Sequence, residues 1–350
     1  MSAYAVPEYT CRIKLDAMEN PYHWPPGLME KWLQELRSVQ VNRYPPANPG
    51  SLIRKLRTSL QIPADMDVLL GNGSDELIQL VCMAVARPGA TLLTPEPGFV
   101  MYRQICQCLN LQFRGIPLEA ETLSLDCQAM LNCMEELQPE IVFIAYPNNP
   151  TGNLFPANEI IRIIHAAPGL VVIDEAYHAF SGESFVGHLA EFENVLVLRT
   201  LSKSGLAGLR LGLITGPREW LQELNKIRLP YNINILTQMT AGFILDHYNI
   251  LAQQAGKICK DREIMFNHLQ SISSVSVWPS QANFLLFRCN NIDARVVHGE
   301  LLKKGILIKN LDGTHPLLKN CLRVTVGTSE ENREFLDSLQ HLVESPDLSE

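Results

Sequence analysis

This sequence lacks long apolar segments and CxxC cysteine pairs, and it has fewer basic than acidic residues. No apolar run in its 350 residues approaches the roughly 18 residues that suggest a transmembrane helix. The formal net charge of -8 disfavours a nucleic-acid-binding surface, because such surfaces are basic. The residues from Met1 onward lack the basic start and the apolar stretch of a secretory signal peptide. We therefore expect a cytoplasmic protein that binds neither membranes nor nucleic acids.

The nine cysteines are odd in number and scattered along the chain. Cys106 and Cys108 are the nearest pair, and their spacing does not match a CxxC site. We expect reduced and mostly buried thiols, as in other cytosolic proteins, and no metal site.

Strands and helices alternate from about residue 51 to residue 217, which predicts an α/β fold with a mainly parallel sheet covered by helices. After that point a long helical stretch leads into strands at 275–278, 283–288, 306–309 and 322–326, which predicts a smaller α+β unit. Residues 1–45 resemble an extended arm. We predict three segments: an arm that is also part of the small domain at 1–45, a large domain at 46–260 and a small C-terminal domain at 261–350.

Three successive apolar strands end in polar side chains. The strands at 141–145, 170–173 and 195–198 lead to Asn149, Asp174 and Lys203, and Tyr177 follows Asp174. Ligands of open α/β sheets bind outside the carboxyl ends of the strands. We therefore expect an amine, an acid and an amide at one crevice.

Each of these residues also has an ordinary structural interpretation. A lysine is usually a solvated charge, but Lys203 follows a buried strand, where a lowered pKa would make it a nucleophile or a proton carrier. Asp174 could cap a helix or form a salt bridge, or it could hold a pyridinium nitrogen protonated. Asn149 lies in a turn sequence, and Tyr177 could be a packing residue.

A glycine-rich turn at 71–76 joins a predicted strand to a predicted helix. Its small residues allow backbone N–H groups to approach a phosphate, and the start of the helix adds partial positive charge. Asp75 could instead be the helix N-cap. With Ser202 and Arg210 nearby in the predicted crevice, a phosphate site is plausible, and the whole set suits a pyridoxal phosphate enzyme.

Ten motifs in order resemble the fold-type I pyridoxal phosphate aminotransferases, over nearly the whole chain. They are LDAMENPY (15–22), NRYP (42–45), GNGSDEL (71–77), PNNPTG (147–152), DEAY (174–177), TLSK (200–203), AGLR (207–210), PYNIN (230–234), ANF (282–284) and LRVTVGT (322–328). The middle motifs mark the superfamily, whereas the first two and those at 230 and 322 resemble its histidinol-phosphate branch.

The resemblance implies a set of residues that bind pyridoxal 5'-phosphate. Lys203 would carry the cofactor, Asp174 would pair with its pyridine nitrogen, and Tyr177 would act at its ring oxygen. The remaining cofactor residues are Asn149 at the same oxygen, Phe99 against the ring, and Ser74, Asp75, Glu76, Ser202 and Arg210 at the phosphate. Lys203, Asp174 and Tyr177 would be the catalytic residues.

The resemblance also implies a reaction and an assembly. The reaction is transamination of L-histidinol phosphate with 2-oxoglutarate, which gives imidazole-acetol phosphate and L-glutamate in L-histidine biosynthesis. Arg323 would bind the acidic end of the substrate, with help from Tyr22. Tyr44 would reach the cofactor phosphate of a neighbouring subunit, which implies a homodimer with shared active sites.

Three positions depart from the family pattern. Phe99 replaces the usual tyrosine, Met18 stands where asparagine is common, and the spacing from Lys203 to Arg210 is one residue shorter than in many relatives. The alternatives are an aromatic or other amino-acid aminotransferase, an enzyme like threonine-phosphate decarboxylase, and a non-catalytic protein that only binds the cofactor. A dinucleotide enzyme is disfavoured because no GxGxxG follows the first strand.

Overall fold

The computed structural model describes residues 9–344. Two predictions fall partly outside these residues. They are the lack of a signal peptide from Met1 onward and the outer bounds of the first and last predicted segments, 1–45 and 261–350. Two sheets are formed by the described strands, which are β1 (Ile13–Leu15), β2 (Asp67–Asn72), β3 (Thr91–Glu96), β4 (Gln112–Pro117), β5 (Ile141–Ala145), β6 (Leu170–Asp174), β7 (Val195–Thr200), β8 (Leu211–Gly216), β9 (Val275–Val277), β10 (Phe284–Cys289), β11 (Ile306–Asn310) and β12 (Cys321–Thr325).

The larger sheet has seven strands in the order β2-β8-β7-β6-β5-β3-β4. Four of its neighbouring pairs are parallel, and β8 runs antiparallel to both β7 and β2. The predicted α/β fold with a mainly parallel sheet is therefore confirmed. Strands β5, β6 and β7 are buried along their whole length, which explains why they read as continuous apolar runs. Their carboxyl ends lie side by side at the middle of the sheet.

Helices cover this sheet and complete the chain. The described α-helices are α1 (Pro26–Leu36), α2 (Gly50–Ser59), α3 (Gly73–Val85), α4 (Val100–Cys108), α5 (Cys127–Leu137), α6 (Ala157–Ala166), α7 (His178–Ser181), α8 (Arg218–Ile227), α9 (Ile235–Leu245), α10 (Tyr248–Ser271), α11 (Ala294–Lys303) and α12 (Ser329–Glu344). Within residues 9–344, none of them combines the length and the apolar character needed to cross a bilayer.

Side chains of β5 alternate between two apolar cores, one on each face of the sheet. Phe143 packs with residues of α3 and α4, whereas Val142 and Ile144 pack with residues of α5 and α6. This alternation follows from the two-residue period of a strand. Because both faces are covered, polar side chains gather at the ends of β5, β6 and β7 rather than along the strands.

The smaller sheet has five strands in the order β1-β11-β12-β10-β9. The sequence pattern predicts four of them but not β1, which lies in the predicted arm. Ile13 pairs with Ile306 in a parallel register, so β1 is fixed to the C-terminal unit. A strand of three residues is too short to show a two-residue period, which is why the pattern missed it. The division into domains stays a prediction.

Gly212 of β8 allows the first turn of α3 to approach the sheet. A Cβ atom at this position would lie 2.6 Å from the Gly73 carbonyl carbon and 2.7 Å from the Ser74 nitrogen. We expect Gly212→Ala to lower the free energy of unfolding by about 1–3 kcal/mol because the backbone cannot move aside easily. Chemical denaturation of the cofactor-free protein measures this loss.

Gly299→Ala is the matched control, since Gly299 lies inside α11 with no atom within 4 Å of the added Cβ. This variant should gain about 0.5–1 kcal/mol from helix propensity. Equal stabilities for the two variants would contradict the proposed close approach at Gly212.

Candidate active site

A cleft opens at the carboxyl ends of β5, β6 and β7. Most of the residues predicted from the sequence to bind a cofactor line it. The lining residues are Met18, Ser74, Asp75, Phe99, Ala145, Pro147, Asn149, Asp174, Ala176, Tyr177, Thr200, Ser202, Lys203 and Arg210. The parallel order of the three strands brings these residues together from distant parts of the sequence.

Lys203 follows β7 in the short turn Ser202–Leu206, which is kinked at Gly205, where φ is 111°. Its Nζ donates a hydrogen bond to the Ala17 carbonyl oxygen at 3.2 Å. Burial, followed by the positive charge of Arg323, lowers the pKa of Lys203 to about 8. A substantial fraction of this amine is therefore neutral near physiological pH, as a nucleophile or a general base requires.

Asp174 is the last residue of β6, and its carboxylate is buried. Oδ2 accepts a hydrogen bond from the Tyr102 hydroxyl at 2.6 Å, and Oδ1 accepts one from the Ala176 backbone N–H at 3.1 Å. Burial raises the pKa of Asp174 to about 6, and these two donors oppose the rise. The ion pairs of residues 9–344 include none with Asp174, so this carboxylate is suited to a cation from a ligand.

Glu175 has the opposite environment, although it is the next residue. Its carboxylate pairs with the buried Arg199 guanidinium at 2.9 Å and accepts further hydrogen bonds from Ser184 and from the Phe185 backbone. Burial raises the pKa of Glu175, and the charge of Arg199 opposes the rise. Of the two adjacent carboxylates, only Asp174 faces the cleft.

Asn149 connects the two sides of the cleft. Its Nδ2 donates to the Tyr177 hydroxyl at 3.2 Å, and its Oδ1 accepts from the Arg323 guanidinium at 2.6 Å. Arg323 lies on β12 of the smaller sheet and also donates to the Asp16 carbonyl oxygen at 3.1 Å. The amide and phenol groups therefore converge at one point of the wall, next to a buried guanidinium.

Anion-binding groups gather at another end of the cleft. The Arg210 guanidinium lies 3.3 Å from the Ser202 hydroxyl and 3.1 Å from an Asp75 carboxylate oxygen. The N-terminus of α3, with Ser74 and Asp75 in its first turn, borders the same space. A helix N-terminus, a hydroxyl and a guanidinium together form a site for a phosphate. The shorter spacing from Lys203 to Arg210 does not remove the arginine from it.

Phe99 and Met18 form a boundary between this cleft and a second cavity. Both residues line both spaces, as does Asn149. The second cavity, of about 290 Å³, is lined by Arg323 and by residues from both the larger and the smaller sheet's part of the chain. A substrate in it would therefore contact Arg323 at the border of the cofactor cleft. Met18 has a backbone φ of 54°, a left-handed conformation that its hydrogen bonds to Thr325 and Asn283 hold in place.

Besides Arg323, which lines the second cavity, three of the predicted site residues do not line the cleft. The Glu76 carboxylate accepts hydrogen bonds from the Asn72 backbone and the Asn232 side chain, and so stabilises the glycine-rich turn from behind. The Tyr22 hydroxyl lies 3.4 Å from Asp261 of α10. Tyr44 is 84% exposed. None of these three side chains is placed to contact a ligand in the cleft of its own chain.

Two polar residues at the site were not identified from the sequence. Tyr102 lies on the apolar face of α4 and is buried, but its hydroxyl donates a hydrogen bond to Asp174. Thr200 ends β7 and its Oγ1 accepts a hydrogen bond from the Ser202 backbone N–H at 3.1 Å. The position of Thr200 at a strand end, two residues before Ser202, was a signal that could have identified it. Tyr102 gave no such signal.

The cleft fits pyridoxal phosphate by its chemistry. Lys203 supplies an amine with a lowered pKa for the aldehyde, and Asp174 supplies a buried carboxylate that has no cationic partner among residues 9–344 for the ring nitrogen. Ser202, Arg210 and the N-terminus of α3 supply donors for the phosphate. Within the same described range, no group of acidic, histidine or cysteine residues is arranged to hold a metal ion.

Comparison with known proteins gives one consistent result. The family model for aminotransferase class I and II matches residues 12–339. The chain is 54% identical to histidinol-phosphate aminotransferase 2 of Nitrosococcus oceani, over 97% of this chain and 94% of that protein. It is 49% identical to histidinol-phosphate aminotransferase 1 of Ralstonia nicotianae, over 97% and 91%. The crystal structure of histidinol-phosphate aminotransferase from Sinorhizobium meliloti in complex with pyridoxal-5'-phosphate superposes with a TM-score of 0.86 at 23% identity, over 95% and 91%.

Asp174→Asn should stabilise the cofactor-free protein. A carboxyl whose pKa is higher in the folded than in the unfolded chain loses stabilising free energy as the pH rises from about 4 to about 6. Asn does not titrate, so the variant should gain about 1–3 kcal/mol at neutral pH and little at about pH 4. Urea denaturation at both pH values measures the difference.

Asp337→Asn is the control, because Asp337 is an exposed carboxylate of α12. It should change the stability by less than about 0.5 kcal/mol at either pH. An Asp174→Asn variant that is less stable than wild type at neutral pH would contradict the account of an uncompensated buried charge.

Proposed function

The chain belongs to the class I and II aminotransferases and, within them, to the histidinol-phosphate aminotransferases, and from this membership we propose that it transfers the amino group of L-histidinol phosphate to 2-oxoglutarate. The products are imidazole-acetol phosphate and L-glutamate, and the reaction belongs to L-histidine biosynthesis. The fold-type I architecture expected from the motifs is confirmed. The convergence of Asn149, Asp174 and Lys203 at three adjacent strand ends carries the proposal.

We propose pyridoxal 5'-phosphate as the cofactor, held by the cleft residues. Lys203 binds its aldehyde carbon, Asp174 pairs with its ring nitrogen, and Asn149 with Tyr177 contacts its ring oxygen. Phe99 packs against the ring. Ser74, Asp75, Ser202 and Arg210 bind the phosphate, the first two partly through backbone N–H groups at the start of α3. When bound, the cofactor supplies an electron sink for the charge that develops on the substrate Cα atom.

Lys203 moves the proton in this proposal. With cofactor and substrate bound, the free Lys203 amine would act as the general base for the Cα proton, and its pKa of about 8 would suit proton transfer in both directions near neutral pH. Asp174 stabilises a positive ring nitrogen as an ionised carboxylate. Two half-reactions then share one site, so ping-pong kinetics are expected.

A half-reaction with one donor at a time tests the function. The pyridoxal phosphate-loaded protein is mixed with L-histidinol phosphate, with phenylalanine or with threonine phosphate, in the absence of any oxo acid. We expect stoichiometric formation of pyridoxamine phosphate and imidazole-acetol phosphate with the first donor. Preference for phenylalanine would indicate an aromatic aminotransferase. Release of carbon dioxide from threonine phosphate would indicate a decarboxylase, and no conversion of any donor would indicate a protein that only binds the cofactor. Any of these three outcomes would overturn the proposal.

Arg323 is proposed to bind the acidic end of both donors. Its guanidinium is buried and fixed by Asn149 and the Asp16 carbonyl oxygen, at the border between the cleft and the second cavity. A planar guanidinium can bind a phosphate or a carboxylate with two parallel hydrogen bonds. The same residue can therefore serve histidinol phosphate in one half-reaction and glutamate in the other.

Arg323→Lys keeps the positive charge but loses the planar pair of donors. We expect kcat/KM to fall for histidinol phosphate and for glutamate, by roughly 1.5–3 kcal/mol of transition-state binding if one charge-assisted hydrogen bond is lost. Arg333→Lys, an exposed position of α12, is the control and should be neutral. Unchanged kcat/KM with both substrates in Arg323→Lys would show that another group binds the acidic end.

We propose a homodimer in which Tyr44 reaches the cofactor phosphate of the partner subunit. Tyr44 and Tyr231 stack on the surface with ring centroids 4.8 Å apart, and Leu229, also on that surface segment, is 73% exposed. Exposed aromatic and apolar side chains in contact are typical of a surface that another protein covers. The position of Tyr44 away from its own chain's cleft agrees with a role in a second cleft.

Mixing two inactive variants tests the shared site. Tyr44→Ala and Lys203→Ala should each be nearly inactive as pure dimers. After subunit exchange, up to about a quarter of wild-type activity should return, because half of the dimers are hybrids with one intact site of two. Full activity of Tyr44→Ala alone, or no recovery despite exchange shown by mass spectrometry, would contradict sharing.

We also propose a cytoplasmic location. None of the nine cysteines, all within the described residues, forms a disulfide. Thiols persist in a reducing compartment, where disulfides are rare. Fractionation of cells that express the tagged protein would place the activity, and recovery of it outside the cytoplasmic fraction would contradict this proposal.

A further inference from the structure

Tyr102 is in an unusual position for a core tyrosine, because its hydroxyl contacts the buried Asp174 carboxylate of the cleft. The side chain is 1% exposed, and its hydroxyl donates to Asp174 Oδ2 at 2.6 Å. Its ring is fixed on both sides, stacked on Phe143 at 4.6 Å and edge-on to Phe99 at 5.5 Å. The hydroxyl therefore has little freedom to turn to another acceptor.

We propose that Tyr102 is a positioning residue, whose hydroxyl keeps Asp174 ionised and oriented for the ring nitrogen of the cofactor. This inference rests on the proposed function, in that it takes pyridoxal phosphate as the occupant of the cleft. It adds a residue that does not line the cleft and that no motif of the sequence identified.

The charges around Asp174 show why such a donor is needed. Asp75 and Glu175 are the acidic groups whose charges act on it, and both oppose its ionisation, as does burial. The Tyr102 hydroxyl and the Ala176 backbone N–H are the groups that favour the ionised form. Tyr177, Lys203 and Arg210 are the other titratable side chains that line the cleft.

Tyr102 itself stays protonated, so it acts only as a donor in this pair. Burial, and then the negative charge of Asp174, raise the pKa of its phenol well above the ordinary value. With Oδ2 bound to Tyr102 and Oδ1 to the Ala176 backbone, the plane of the carboxylate is set from two directions. An ionised carboxylate has about four acceptor positions, so capacity for a ring N–H remains.

The other interpretation is that Tyr102 only fills the core between Phe99 and Phe143. Tyr102→Phe separates the two, since it removes the hydroxyl and keeps both ring contacts. Under the proposal, the Asp174 carboxyl of this variant holds its proton to a higher pH, and a protonated carboxyl cannot pair with a positive ring nitrogen. A filler would leave the pH dependence unchanged.

The experiment measures equilibrium affinity for pyridoxal phosphate as a function of pH in wild type and Tyr102→Phe. We expect the acid limb of the variant's profile to move up by about one pH unit, with roughly tenfold weaker binding on that limb. Tyr248→Phe is the control, because Tyr248 starts α10 away from the cleft, and its profile should match wild type. Superimposable profiles for wild type and Tyr102→Phe would overturn the inference.

A cofactor analogue with carbon in place of the ring nitrogen makes the test specific. The analogue has no ring proton for Asp174, so Tyr102→Phe should bind it as wild type does. An equal loss of affinity for both compounds would assign Tyr102 to packing and overturn the inference. If Tyr102→Phe does not fold, the same comparison can be made between Tyr102→His, which retains a ring N–H donor, and Tyr102→Leu, which has no donor. Equal pH profiles for these two variants would overturn the inference.

These measurements separate the inference from the proposed function. If the wild-type protein binds pyridoxal phosphate but does not transaminate histidinol phosphate, the proposed function is overturned. The comparison of the variants then still decides the role of Tyr102. Wild-type protein that does not bind pyridoxal phosphate at all would overturn both.

Discussion

A buried carboxylate that has no cationic partner among residues 9–344 is the constraint on which the rest of this structure depends. Asp174 ends the central strand of a seven-stranded sheet, and burial raises its pKa to about 6. The adjacent Glu175 is also buried, but Arg199 neutralises it. An unpaired charge in such a place costs free energy, which a ligand with a positive nitrogen can recover on binding. The fold therefore maintains an unfavourable group where a cofactor would pair with it.

The parallel arrangement of β5, β6 and β7 turns this single group into a site. Neighbouring parallel strands end at the same edge, so the residues after them share one crevice although about 25 residues separate each from the next in sequence. Asn149 and Lys203 flank Asp174 for this reason. The antiparallel β8 then brings Arg210 and Gly212 back toward the N-terminus of α3, where anion-binding groups collect.

The smaller unit completes the site through its first residues. Asp16, Ala17 and Met18 follow β1, which pairs with β11, and their backbone is held by Thr325 and Asn283. Two of their carbonyl oxygens accept hydrogen bonds from Lys203 and Arg323. The amine and the guanidinium are thus oriented by the same short segment, which couples the cofactor cleft to the cavity beside it.

Much of this site could be predicted from the sequence because its residues follow apolar strands directly. The runs before Asn149, Asp174 and Lys203 gave both the sheet and the edge at which the ligand binds. Position along the chain could not show that the Glu76 side chain turns toward Asn232 or that the Tyr22 hydroxyl lies beside Asp261, because side-chain direction in a turn or loop depends on tertiary contacts. Tyr102 was missed because a buried aromatic residue on a helix has the same pattern whether or not its hydroxyl has a polar partner.

The most direct measurement of the central claim identifies the lysine that carries the cofactor. The protein is loaded with pyridoxal phosphate, reduced with borohydride, digested and analysed by mass spectrometry. A single stable label on Lys203, at about one per chain and absent when borohydride is omitted, is the predicted result. A label on another lysine at the same stoichiometry, with Lys203 unmodified, would contradict the assignment of this cleft as the active site.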